Sequence, residues 1–390
     1  MNHVDALCRL IEFDTSGGDG GRSHEALAYL ERLFSTCACS TAIVSIPPAE
    51  ADGLPGRRAL LAHRRRPGKP HLIIYGHIDV VPAVGWDAFS PVRNGGRIYG
   101  RGASDMKGSI AALLGALWLL RDAELGFDVT VVVTMDEETH QLAQLRYLTS
   151  VLEAGPHPHV LSLDAGFGYV SIANLGLLQM DISVAGDSVH SAMAHLGRNA
   201  IEGASALMQA LLALKTVVTR RESTVAAHPG TGLHFMQARL NVNQITGGIA
   251  RNVVPSRCTF TIDRRLLPEE TVDSVRSEIL AALEGVPEPE WHVSREFFIP
   301  SVPPCADPLA RVLADVLETV TGSTGLYGDM LSGELPYAAR SCWGGDAFAT
   351  GVIRPGNRIH GSNEFVYESD LDQLVEVLAR FLTGGQKEAA

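Results

Sequence analysis

Two short apolar runs and the segment between them most restrict what this chain can fold into. Residues 71–76 (HLIIYG) end in glycine, and residues 128–134 (DVTVVVT) are dense in β-branched side chains. Both read as strands buried on two faces, since a half-exposed strand would alternate polar and apolar positions. Residues 107–120 (KGSIAALLGALWLL) are apolar almost all round, which suits a helix sandwiched against a sheet. Residues 159–163 (HVLSL) give a third buried strand. The pattern predicts an α/β core, a mixed sheet flanked by helices. At 390 residues the chain has room for two or three domains.

The pattern changes after about residue 176. Residues 178–184 alternate as a half-exposed strand does, and 199–214 follow as a helix. Strands at 235–245 and 257–263, a helix at 269–283 and a strand at 291–298 complete the series. Strand-helix-strand-strand-helix-strand describes a self-contained α+β layer of the split βαβ, ferredoxin-like kind. We therefore predict one α/β domain built from residues 1–176 and 299–390, with residues 177–298 inserted into it.

Composition narrows the partners. The chain carries 32 basic and 44 acidic residues, a net charge of −12, and no basic run beyond Arg64, Arg65 and Arg66. This argues against nucleic acid or an anionic membrane surface. The longest apolar stretch, read as 110–120, is shorter than the roughly 20 residues a membrane span needs. Residues 1–9 lack a basic start followed by an apolar core, and the six cysteines form no Cys-x-x-Cys pair. A cytoplasmic protein with reduced thiols is expected.

Polar residues cluster where the buried strands end. In GHIDVVP (76–82), His77 and Asp79 are two apart, so on a strand they share a face. A ligating imidazole commonly hands its other N–H to a carboxylate or carbonyl, and Asp79 suits that part. Asp105 lies in the glycine-rich GRGASDMKG (100–108), where it is either a metal ligand or the cap of the following helix. Asp136, Glu137 and Glu138 end the DVTVVVT strand; three adjacent anions need a cation, protons or open solvent. Asp164 follows the third strand, and open α/β sheets bind ligands at this carboxyl edge. His360 stands in IHGSNEF (359–365) after a loop rich in Pro and Gly. Two His among several carboxylates suit Zn, Mn or Co rather than an all-oxygen calcium cage.

The pieces GHIDVVP, GWDAFSP, GRIYGRGASDMKG, the acidic triplet, GRNAIEG and IHGSNEF occur in this order along nearly the whole chain. Together they resemble the co-catalytic metallopeptidases and deacylases that include acetylornithine deacetylase, succinyl-diaminopimelate desuccinylase and glutamate carboxypeptidase. The resemblance implies two divalent metal ions per subunit, most often Zn. His77 and Asp164 would bind the first ion, Glu138 and His360 the second, with Asp105 bridging them. Asp79 would support His77, and Glu137 would be the general base for a metal-activated water. The inserted lid would carry a homodimer contact and lend His190, in GDSVHS (186–191), to the partner's site as an oxyanion donor. Asn252 (RNVVP, 251–255) and Arg265 (DRRLLP, 263–268) resemble residues that hold a substrate carboxylate, with neighbouring Arg264 expected at the surface.

The implied reaction is hydrolysis of an amide in a small N-acyl amino acid or related molecule. Three positions depart from the pattern. Asp164 stands where deacylases more often have Glu followed by Pro, which favours dipeptidase or aminopeptidase relatives. His140 follows the acidic triplet, either lining the pocket or exposed at a helix start. His195 occupies a stretch that usually carries Pro after the lid histidine, and reads as a satisfied structural residue. An amidohydrolase for an atypical small amide is a further alternative. A non-catalytic scaffold would have no reason to keep the base and all five ligands.

Overall fold

A computed structural model describes residues 2–17, 21–139, 141–152 and 157–384. His140 lies outside the described residues. The chain divides into two compact units. The first comprises Met1–Ile172, Cys305–Tyr327 and Glu334–Ala390; the second comprises Ala173–Pro304 and Gly328–Gly333. These junctions fall a few residues from the predicted 176/177 and 298/299, and the short Gly328–Gly333 segment of the second unit has no counterpart in the prediction.

The first unit is built on an eight-stranded sheet. Its centre holds β1 (His71–His77), β2 (Asp128–Thr134) and β3 (His159–Ser162), which are mutually parallel in the order β2-β1-β3. Their interior residues are buried on both faces, which is why the sequence shows continuous apolar runs instead of alternation. Antiparallel neighbours on the flanks make the sheet mixed. Helix α1 (Lys107–Leu119) buries its first eleven residues, Lys107 through Leu117. A helix that is apolar all round needs cover all round, and here it packs between the sheet and the helices His3–Ile11 and Glu368–Leu382.

The second unit has the predicted element order. Strand β4 (Gly176–Ala185), helix α2 (Ala200–Val218), strands β5 (Arg239–Gly247) and β6 (Arg257–Leu266), helix α3 (Val272–Glu284) and strand β7 (Trp291–Ile299) follow in turn. The sheet order is β5-β6-β4-β7, every pair antiparallel. Two details differ from expectation. The predicted 235–245 strand breaks at Ala238: Phe235–Gln237 pairs with Glu222–Ala226, while β5 begins at Arg239. The predicted 269–283 helix starts later, because Thr271 accepts the Ser274 N–H at 3.2 Å in a capping box.

Helix α2 also corrects the reading of 110–120 as the longest apolar stretch. Its 19 residues are long and apolar enough, by length and composition, to cross a membrane. Glu202 and Lys215 interrupt the run in sequence, which hid its length. In the fold its Ala200, Ala204, Leu207, Leu211 and Val218 are buried in the second unit's core.

Candidate metal centre

Register explains why distant motifs converge. His77 pairs with Thr134 and Tyr75 with Ser162 across the parallel ladder. The chain therefore leaves β1, β2 and β3 at one edge, and that edge receives His77, the 136–138 triplet and Asp164. Asp79 lies beyond the strand, which ends at His77, so their pairing comes from the turn and not from a shared strand face. His77 Nδ1 sits 3.1 Å from the Asp79 carbonyl and 3.3 Å from its Oδ1, while Asp79 Oδ2 accepts the Glu138 N–H at 2.9 Å. With Nδ1 donating there, the lone pair on Nε2 faces inward.

That inward nitrogen is the test of metal fit. His77 is completely buried and its Nε2 has no hydrogen-bond partner. Around it stand Asp105 Oδ1 at 3.5 Å, Glu137 Oε2 at 3.9 Å and Asp164 Oδ2 at 3.9 Å. An orphaned imidazole nitrogen among three carboxylates is costly without a cation, and the mixed N/O set is one that Zn, Mn or Co accepts. A second group forms around His360, whose Nε2 lies 2.9 Å from Asp105 Oδ2 and 3.3 Å from Glu138 Oε2. Asp105 thus turns one oxygen to each histidine. Ligand atoms of His77, Glu137 and Asp164 lie within 4.8 Å of one another, as do those of Asp105, Glu138 and His360.

The alternative role of Asp105 as a helix cap is not realised. The residue preceding α1 is Met106, and no side chain caps that end. Gly102 in the same turn has φ +82°, and a Cβ there would lie 2.9 Å from both Val80 Cγ1 and Lys107 Cδ. Only glycine fits this left-handed, crowded position.

Charge crowding sets the proton affinities. Burial, reinforced by Asp164, Asp79 and Glu138, pushes the Glu137 carboxyl well above its usual range despite nearby His77. Burial would raise Asp105 too, but His360 and His77 hold it well below the carboxylate range. Asp105 and Glu138 push the His360 imidazole up to about 10. Burial acts against a charged His77, yet Asp105 and Asp79 together raise it well above the ordinary value. Asp136, the first member of the triplet, points elsewhere. It pairs with Arg57 at 2.8 Å, both side chains 2% exposed.

His190, Asn252 and Arg265 lie in the second unit. His190 is exposed, heads the turn Ser191–Leu196, and its Nδ1 accepts the Ala192 N–H at 3.2 Å. Its neighbour across an isolated bridge is Val253, and Asn252 accepts the Ser191 N–H at 2.9 Å, so His190 and Asn252 come together. Arg265 does not join them. It sits at the far end of β6, paired with Leu177 of β4, eight residues and roughly 25 Å along the strand from Arg257. There it donates to Asp263 Oδ1 at 2.9 Å and Ser332 Oγ at 3.0 Å. Two expectations fail. Arg264 is fully buried, paired with Glu270 at 2.6 Å, instead of lying at the surface. His195 is exposed on the 191–196 turn instead of being enclosed; nothing in the structure explains it.

Sequence reasoning missed Glu364. Its buried carboxylate accepts the N–H groups of Gly102 (3.0 Å), Ser104 (3.0 Å) and Asp105 (3.1 Å) and the Arg101 guanidinium (2.7 Å). The available signal was an acidic residue four positions after His360, just ahead of an aromatic strand, FVY.

A mixed α/β sheet with two imidazole–carboxylate groups at its carboxyl edge defines a metal-binding hydrolase of the peptidase and deacylase type. The family model for peptidase family M20/M25/M40 matches residues 73–384, and the chain belongs to that family. It is a hydrolase acting on amide bonds. Acetylornithine deacetylase of Yersinia pseudotuberculosis is 26% identical over 323 residues, covering 81% of this chain and 79% of the relative. The fold is similar to that of the M20 metallo-carboxypeptidase Sso-CP2 from Sulfolobus solfataricus. That match has a TM-score of 0.80 and 19% identity over 98% of this chain and 99% of the other. Human carnosine dipeptidase 1 gives a TM-score of 0.75 and 17% identity over 98% and 96%.

Proposed function

We propose that the chain hydrolyses the amide bond of a small N-acyl amino acid, with two divalent metal ions held per subunit. The observation that carries this reading is Asp105, with one carboxylate oxygen toward His77 and the other toward His360. His77, Asp105 and Asp164 would hold one ion, and Asp105, Glu138 and His360 the other, with Zn the first choice and Co or Mn acceptable. When bound, such ions polarise a carbonyl and lower the pKa of water.

The chain's own groups supply the rest. Glu137 takes the proton of the attacking water at its carboxylate and returns it to the leaving nitrogen, a role favoured by its raised proton affinity. Asp79 fixes the His77 ring through Nδ1. In His190 the Nδ1 acceptor contact leaves the neutral ring's proton on Nε2, as an oxyanion donor requires. Asn252 stands beside it as a substrate-binding group.

A homodimer completes the site in this reading, with His190 and Asn252 supplied across the interface. Arg265 and Asn252 lie toward opposite ends of β6, so both can hold one small substrate only if they come from two chains. The edge strand β5 and helix α2 offer an apolar face for that contact: Ile245 is 52% exposed, Leu212 54% and Val217 55%. All six cysteines are free, which suits the reducing cytoplasm.

Asp164 supports a second reading. A carboxylate one methylene shorter than the Glu of most deacylases favours cleavage of free dipeptides, and a dipeptidase is among the similar structures. A screen of the metal-reconstituted protein over N-acetyl and N-succinyl amino acids, dipeptides and aryl amides tests both. Turnover of N-acyl amino acids is expected; cleavage of dipeptides alone would reverse the order.

A further inference from the structure

Glu364 is 1% exposed, and its carboxylate is shared out completely. Oε1 accepts from the backbone of Ser104 and Asp105, and Oε2 from Gly102 and Arg101. Its own carbonyl accepts the Gly100 N–H at 2.9 Å. One residue therefore grips the 100–105 turn at five points. The following strand Phe365–Tyr367 pairs with Arg97–Tyr99, Phe365 opposite Tyr99, so the ladder delivers Glu364 to the turn.

The other side of Glu364 leads to His360. The intervening loop holds Arg358, His360 and Asn363 at φ of +58°, +61° and +58°. Such left-handed non-glycine conformations are strained and persist only where their surroundings hold them. The loop is closed at its base by Asn357, whose carbonyl accepts the Phe365 N–H at 3.1 Å and whose Nδ2 donates to the Phe365 carbonyl, and Glu364 ties the residue just ahead of Phe365 to the 100–105 turn. We propose that Glu364 is a positioning residue for both metal sites at once: it aims the bridging Asp105 and anchors the loop that presents His360. This rests on the dinuclear reading above.

Glu364→Gln tests it. An amide offers one acceptor oxygen and one NH₂, so two of the four donors then face a donor. In Co(II) titrations of the folded variant, confirmed by circular dichroism, both dissociation constants should rise together by roughly 10–100-fold. The visible absorption of both Co(II) ions should shift as well. His360→Ala, by contrast, should weaken one site far more than the other. Glu364→Asp, which keeps the charge one methylene short, is the second variant should Gln prevent folding; it should also weaken both sites, by a smaller factor. If either folded variant binds two Co(II) ions with unchanged affinities and spectrum, or loses only one site, the proposal is overturned. Binding of fewer than two ions by the wild-type protein would instead refute the dinuclear reading itself.

Discussion

Replacing Glu137 by glutamine keeps the side chain's shape and removes its ability to carry a transferable proton. The perturbation is informative because Glu137 stands among the ligands. Its Oε2 is 3.9 Å from His77 Nε2, against 3.5 Å for Asp105 Oδ1, and it groups with His77 and Asp164. If Asp105 bridges and Glu137 is the base, Glu137→Gln retains two metal ions. Turnover then falls by the roughly 10²–10⁴-fold typical of a positioned acid–base group, about 3–5 kcal/mol of barrier at about 1.4 kcal/mol per decade. The metal-free protein should lose no stability, because burial and the neighbouring Asp164, Asp79 and Glu138 already disfavour a charge on Glu137. Metal content by atomic absorption, steady-state kinetics and thermal melting of the metal-free form read the three quantities. Loss of one ion per chain would make Glu137 a ligand, and turnover within about tenfold of wild type would remove it from proton transfer.

Two further outcomes follow from buried charge. In the metal-free protein His360, pushed up to about 10 by Asp105 and Glu138, is imidazolium at neutral pH. Ligation needs a neutral ring, so metal loading at about pH 7 should release about one proton per chain from His360, and affinity should rise with pH toward about 10. An indicator-dye titration in weak buffer measures the release; none, with a flat affinity profile, would contradict the assigned histidine. Arg57→Ala strands Asp136 and should cost about 3–5 kcal/mol. Burial pushes the Asp136 carboxyl up to about 6 even beside Arg57. That folded value is above the unfolded one, so the ionised, penalised form gains as pH rises through the folded value. The cost should therefore be larger at high pH than in acid. Urea unfolding at two pH values decides it, an equal loss at both being the failing result.

The sheet, the buried helix and the lid's element order were legible because each rests on a local period: continuous apolar runs, an all-apolar helix, alternation. The residues grouped at the candidate site were legible for a related reason. Chemistry at a sheet's carboxyl edge leaves polar residues directly after apolar strands, as at His77, Glu137 and Asp164. Long-range pairing is what the pattern could not supply. Asp136 looks like one more site carboxylate until Arg57, 79 residues earlier, is seen to neutralise it. Arg264 and Arg265 are adjacent and chemically identical, yet strand alternation and Glu270 bury one while the other reaches Asp263 and Ser332. For Glu364 the local sign, an acid four positions after His360, does not reveal its work, because its partners are mostly backbone groups some 260 positions away.

The first unit's three-segment construction has a consequence for how the molecule is born. Helix Lys107–Leu119, apolar on nearly every face, leaves the ribosome well over 200 residues before one of its covers, Glu368–Leu382. The second unit's main stretch, Ala173–Pro304, is contiguous and lacks only Gly328–Gly333. Throughout that interval the nascent chain displays an uncovered apolar helix and incomplete candidate metal groups, since His360 follows Lys107–Leu119 by some 240 residues. Chains terminated before residue 368 are therefore expected to aggregate.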